Sequence, residues 1–135
     1  MTQAIENKKL MQQIFAELSK GNSRPLTDSM ADEFTWTVIG TTMWSRKFTG
    51  KKAVIEELLA PLRAKLTPPI IVTPQRFIAD EDIVAVEARG KNTTKDAKSY
   101  NNTYCFVFRL SAGQLQEVTE YTDTALVKSA LGDLP

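Results

Sequence analysis

The chain contains no histidine, so proton chemistry within it must be carried by Asp, Glu, Lys, Arg or Tyr side chains, or by a bound cofactor. Two groupings have residue types suited to that work. Glu87 and Arg89 stand two apart in a run of strand-forming residues, and the period of two puts both on one face with Ile83 and Ala85. Val84, Val86, Ala88 and Gly90 then face the other way. The second grouping is Glu117, Glu120 and Asp123, set among aromatic residues in the stretch from Tyr100 to Val127. The same inventory excludes other chemistries. No Ser-His-Asp or Cys-His nucleophile can form, and a zinc site would lack its usual ligands, because Cys105 is the one cysteine. The 6 glycines stand singly, so no phosphate-binding loop is present. Neither a metal nor a cofactor is expected.

These residues must be positioned by elements that the sequence announces. Thr2 is placed to cap a helix over 3–20, where Met11, Phe15 and Leu18 recur at helical spacing and Gly21 marks the stop. Pro25 starts a short helix that ends near Met30. Phe34, Trp36 and Val38 alternate with Glu33, Thr35 and Thr37, which is strand periodicity. The stretch 41–47, with Trp44, reads as a short strand or ordered loop. A third helix opens near Lys51 and is kinked or interrupted at Pro61, with Pro68-Pro69 ending it. Strands follow over 70–79 and 83–91; Pro74 assigns the first to a sheet edge or a bulge. The polar loop 92–99 is expected to move. Beyond it, a hairpin turns at Ser111-Ala112-Gly113, and 124–131 forms a turn or two of helix. Three helical segments followed by long antiparallel strands make an α+β domain spanning 1–135.

Composition narrows the partners. The 17 basic and 16 acidic residues are scattered, giving a net charge of +1 and no basic stripe for nucleic acid. No apolar run approaches the ~18 residues of a membrane span, and the polar first ten residues lack a signal-peptide pattern. A lone cysteine suits a reducing compartment, so a cytoplasmic protein is expected.

The order of elements, with F-T-G-K-K-A-V-I-E-E-L opening the third helix and Y-N-N-T-Y-C-F-V-F-R-L-S-A-G-Q-L-Q-E-V-T-E-Y-T-D-T-A-L closing the sheet, resembles SnoaL-like proteins of the nuclear transport factor 2-like superfamily. The resemblance covers nearly the whole chain. It implies a cone-shaped, curved sheet wrapped around the long first helix, a pocket for a small, mostly apolar molecule, and a homodimer formed through the sheet. The superfamily includes ketosteroid isomerases, whose tyrosine and two aspartates align roughly with Ile14 or Phe15, Val38 and Phe106. All three polar roles fall on apolar residues, which argues against steroid isomerase chemistry.

Limonene epoxide hydrolases, also of this superfamily, use an Asp-Arg-Asp constellation. Carried over without gaps, its paired positions become Glu87 and Arg89 and its closing-strand acid becomes Glu120, with acid and arginine exchanged in order. The resemblance thus implies a catalytic set of Glu87, Arg89 and Glu120, in which a guanidinium fixes two carboxylates and one of them is driven to a raised pKa. It also implies a pocket lined by Trp36, Trp44, Asn102, Tyr104, Phe106, Thr122 and Asp123. Competing readings stand beside these. Glu87 and Arg89 would equally form an exposed ion pair worth under ~1 kcal/mol. A β-bulge would make Asp123 the inward acid instead of Glu120, and Phe106 and Phe108 would serve as plain core. The function implied is cofactor-independent acid/base chemistry of isomerase, cyclase or hydrolase type; the alternative is a non-catalytic ligand-binding or dimerisation module.

Overall fold

A computed structural model describes residues 2–134 of the chain. The first helix, α1 (Gln3–Leu18), is capped by Thr2, whose hydroxyl oxygen accepts from the Ile5 amide at 3.3 Å. A short α2 (Arg24–Asp28) begins with proline in its first turn. The strands are β1 (Met30–Val38), β2 (Lys47–Thr49), β3 (Val72–Asp80), β4 (Ile83–Gly90), β5 (Thr103–Ser111) and β6 (Gln114–Thr122). Between β2 and β3 runs a continuous helix, α3 (51–65), and a short helical segment, α4 (124–131), closes the chain.

All six strands join one mixed sheet in the order β2-β1-β6-β5-β4-β3. Only β1 and β6 run parallel; the other neighbours are antiparallel. The α+β architecture expected from the sequence is therefore present, and α1 lies across the inner face of β3 and β4. Met11, Ile14 and Phe15 are the buried stripe of that helix, and the Phe15 ring meets Phe108 edge-on at 6.1 Å and Phe77 at 6.0 Å.

Two prolines leave local signatures. Pro61 has no N–H to offer the carbonyl one turn earlier, and its ring would crowd that carbonyl in a regular helix. The preceding stretch Val54–Leu59 is π-helical, with the Ala60 amide donating to Ile55 oxygen, so the widened turn absorbs the proline without ending the helix. Pro74 lies on the edge strand β3, where the register shifts between Pro74 and Arg76, the edge position and bulge that its missing donor demands.

The β5–β6 hairpin turns through Ala112 and Gly113, both at positive φ (51° and 77°), matching the tight turn that right-twisted strands favour. The loop 92–99, expected to move, is instead pinned. Thr67 and Lys95 amides donate to Thr93 and Lys65 oxygens at 2.8 and 3.0 Å, and Tyr100 to Asn92 oxygen at 2.8 Å. The Thr94 hydroxyl accepts from the Lys98 amide at 2.9 Å, while the loop's backbone bonds the end of α3.

Asn102 fastens the far end of the hairpin. It is fully buried; its Oδ1 accepts from the Thr103 and Asp123 amides (2.7 and 3.1 Å), and its Nδ2 donates to Asp123 oxygen and the Tyr100 hydroxyl (both 3.2 Å). Replacing it would strand several buried groups at once, each costing about 1–3 kcal/mol. Asn102→Ala is expected to lower stability by about 2–4 kcal/mol in urea unfolding; a loss under about 1 kcal/mol would show that these bonds do not fasten the strand ends.

Candidate functional site

The sheet register assembles the site. On the inner face, Glu120 of β6 pairs with Phe106 of β5 on one side and with Val38 of the parallel strand β1 on the other. Trp36, Phe108 and Tyr104 share that face by the period of two. Alternation alone would have set Glu120 opposite Leu115. A bulge at Gln116, where Glu117 pairs with Arg109 but Leu115 pairs with Leu110, turns Leu115, Val118 and Glu120 to the same side. The bulge lies before Glu117, so it selects Glu120 and does not favour Asp123.

These side chains line a cavity of about 480 Å³ whose walls are mainly apolar. Phe106 organises one wall: Tyr104 stacks on it at 4.9 Å and 15°, and Trp36 meets it edge-on at 6.2 Å and 88°. Within that wall Glu120 has one hydrogen-bond donor, the indole Nε1 of Trp36, at 3.0 Å from Oε1. Glu120 is half-buried, and it contributes to the cavity lining. Burial raises its carboxyl pKa to about 7, and the indole N–H offsets only part of that. A carboxyl group that titrates near neutrality, beside space for a ligand, can both accept and return a proton.

Two phenols share the cavity with it. Tyr100 is 4% exposed, and its hydroxyl accepts from Asn102 Nδ2 at 3.2 Å. The Tyr104 hydroxyl lies near it. Because the Tyr100 oxygen accepts in the bond from Asn102, its own proton remains available to a ligand. Burial pushes the Tyr100 pKa up to about 12 and that of Tyr104 well above the ordinary phenol value, with the nearby Glu120 charge adding to both. Both phenols are therefore protonated hydrogen-bond donors at neutral pH.

Glu87 and Arg89 do not join this site. Both stand on the outer face of β4, back to back with the buried Val86 and Ala88. Glu87 forms a two-pronged pair with Arg76 of β3, at 2.7 and 3.0 Å, and Arg89 is exposed. The acid–arginine–acid arrangement over Glu87, Arg89 and Glu120 is thus not assembled. The apolar set Val84, Val86 and Ala88 was the stronger signal of which face turns inward, since α1 needs that surface to bury Met11 and Phe15.

Of the expected lining residues, Trp36, Trp44, Tyr104 and Phe106 do line the cavity. Trp44 is fixed by its Nε1 donating to Gly132 oxygen at 2.9 Å. Asn102, Thr122 and Asp123 stand outside the lining. Asn102 acts on it through Tyr100, the Thr122 hydroxyl donates to Thr103 oxygen at 3.1 Å, and Asp123 caps α4 through the Leu126 amide at 3.2 Å. Tyr100 escaped the sequence reading because it precedes β5 and shows no strand periodicity. Asn92 was likewise missed. It lines the cavity end and clips Ile71 through both amide atoms, at 2.8 and 3.0 Å. The Y-N-N triplet, two polar residues behind a tyrosine at a strand entrance, was the available signal.

Comparison with known proteins agrees with this geometry. A family model for the SnoaL-like domain matches residues 11–118. No curated protein matches the sequence. Among solved structures, a protein from Jannaschia sp. CCS1, provisionally named a SnoaL-like polyketide cyclase, superposes with a TM-score of 0.77 at 17% identity over 98% of this chain and 95% of its own. An NTF2-like protein of unknown function from Burkholderia pseudomallei K96243 gives 0.80 at 16% identity, over 97% and 98% of the two chains. TerC, co-crystallised with polyporic acid, gives 0.76 at 16% identity, over 93% and 97%. These likenesses establish a shared fold, and the family match covers most of the sequence. The chain belongs to the SnoaL-like domain family.

Proposed function

We propose that the cavity binds a small, largely apolar molecule and that Glu120 moves a proton on it without a cofactor. The observation that carries this reading is one carboxyl group, with a single indole N–H for company, set deep in an aromatic cavity and titrating at about pH 7. A structural glutamate gains nothing from such a place, because ionising it there costs free energy that a glutamine or leucine would avoid.

The chemistry that fits is proton abstraction next to a carbonyl. Ionised Glu120 takes the proton, the C–H electron pair moves toward the carbonyl oxygen, and the Tyr100 hydroxyl donates to the oxyanion that forms. Protonated Glu120 then returns its proton to another carbon, giving isomerisation, or the enolate carbon attacks a second carbonyl of the same molecule, whose C=O π pair moves to oxygen and takes the proton from Glu120, giving cyclisation. Asn102 serves by donating to the Tyr100 oxygen, which leaves the Tyr100 proton for the ligand. TerC's polyporic acid complex supports small-molecule binding by this fold. A non-catalytic carrier is the second reading. It draws on one observation, that among the described residues Glu120 meets neither a second acid nor an arginine within hydrogen-bond distance.

Deuterium exchange at the activated C–H positions of cyclic enones and lactones separates the two. Glu120→Gln is expected to lower the exchange rate by about 10²–10⁴, and Tyr100→Phe by about 10² with little change in KM. Exchange that is equal in wild type and Glu120→Gln would remove the assignment.

The raised pKa also has a consequence for stability. Glu120 releases its proton at about pH 7 when folded, against 4.5 in its ordinary state, so the folded chain binds more protons between those values. Its contribution is fully present below pH 4.5 and is lost as pH rises through 7, by about 3 kcal/mol in total. Urea unfolding of wild type against Glu120→Gln should show that difference in pH slope, with the variant relatively more stable at pH 8. Parallel pH profiles would contradict the buried, ionisable state.

A further inference from the structure

Among the residues lining the cavity, three carry formal charge: Glu120 inside, and Arg63 and Lys95 where it opens. Both cations are exposed, and neither meets a carboxylate within 4.0 Å among the described residues. Arg63 is held through its side chain and Lys95 through its backbone. Arg63 of α3 donates from Nη2 to the Ser23 hydroxyl at 3.0 Å, which fixes one edge of the guanidinium and leaves its other N–H groups free. Lys95 sits in the pinned loop, its amide tied to Lys65 oxygen at 3.0 Å. The acid nearest it in sequence, Asp96, is occupied by the Thr94 hydroxyl and by Lys98 at 3.5 Å. The rest of the lining is mainly apolar and includes Leu59, Leu62, Leu66, Ile70 and Val72.

The geometry points to an amphipathic anion as the ligand: an apolar, ring-sized body bearing a carboxylate, sulfonate or phosphate that rests between Arg63 and Lys95. Charge then fixes the direction of entry. An anionic end is drawn to the two cations at the mouth and repelled by ionised Glu120 within, so the uncharged, reactive end goes in first. This deepens the reading of the cavity as a small-molecule site, on which it rests; it does not depend on catalysis by Glu120.

Two fluorescent probes test it: 8-anilinonaphthalene-1-sulfonate and its uncharged parent, N-phenyl-1-naphthylamine. In low salt the sulfonate is expected to bind about tenfold more tightly. The preference should shrink in about 0.5 M salt, because exposed cations are screened over a few ångströms there. In the double variant R63Q/K95Q the two probes should bind alike, with the affinity of the uncharged probe unchanged, which also verifies that the cavity is intact. Equal binding of both probes to the wild type, or a sulfonate preference that survives R63Q/K95Q, would overturn the anion inference and leave the proton-transfer reading standing. Failure of both probes to bind would overturn the small-molecule site itself.

Discussion

The free energy of one carboxyl group held under an aromatic wall is the constraint on which the rest of this structure turns. Glu120 receives a hydrogen bond from Trp36 Nε1 at 3.0 Å and little else, so its charged form is penalised and its pKa rises to about 7. That penalty is not local to Glu120. Phe106 must shield it, Trp36 must be fixed edge-on against Phe106, and Val38 must close the other side across the parallel strand pair. A sheet without the bulge at Gln116 would turn Glu120 to the outer face opposite Cys105, where ionising it costs little and achieves nothing.

The same wall explains how the tyrosines contribute. Stacked on Phe106, Tyr104 has little freedom, and its hydroxyl is carried to that of Tyr100. Asn102, which ties the hairpin end to α4, also orients Tyr100. The residue that holds the fold together at this corner is therefore the one that aims the donor. Stability and site geometry share a single buried amide, so they will be lost together when it is removed.

Much of this was legible in the sequence, for identifiable reasons. The helix cap at Thr2, the edge strand around Pro74 and the alternation over β1 and β5 depend on local chemistry, and each appears in the structure. Glu120 was legible through its place in the E-Y-T-D ending. Glu87 and Arg89 misled because a period of two says which residues share a face but not which face is inward. That choice was made by α1, whose Met11 and Phe15 need the apolar Val84, Val86 and Ala88 to pack upon, leaving Glu87 to pair with Arg76 across the strand edge. The ordered loop 92–99 was illegible for a related reason. Its hydrogen bonds run to the end of α3, which for Lys95 means Lys65, thirty residues earlier, and polar composition alone reads as freedom.

Members of a fold family this broad differ in chemistry by what they set around the cavity. Here both strand neighbours of Glu120, Val38 and Phe106, are apolar, so the polar character of this part of the wall is concentrated on one carboxyl group. The measurement that bears most directly on that claim is the titration of Glu120 itself, followed by carbon NMR of side-chain-labelled glutamate in wild type and Glu120→Gln. The account predicts one carboxyl signal titrating at about pH 7 that is missing from the variant. If every glutamate signal titrates in the ordinary range near 4.5, the carboxyl group is not buried as described and the site loses its acid/base chemistry.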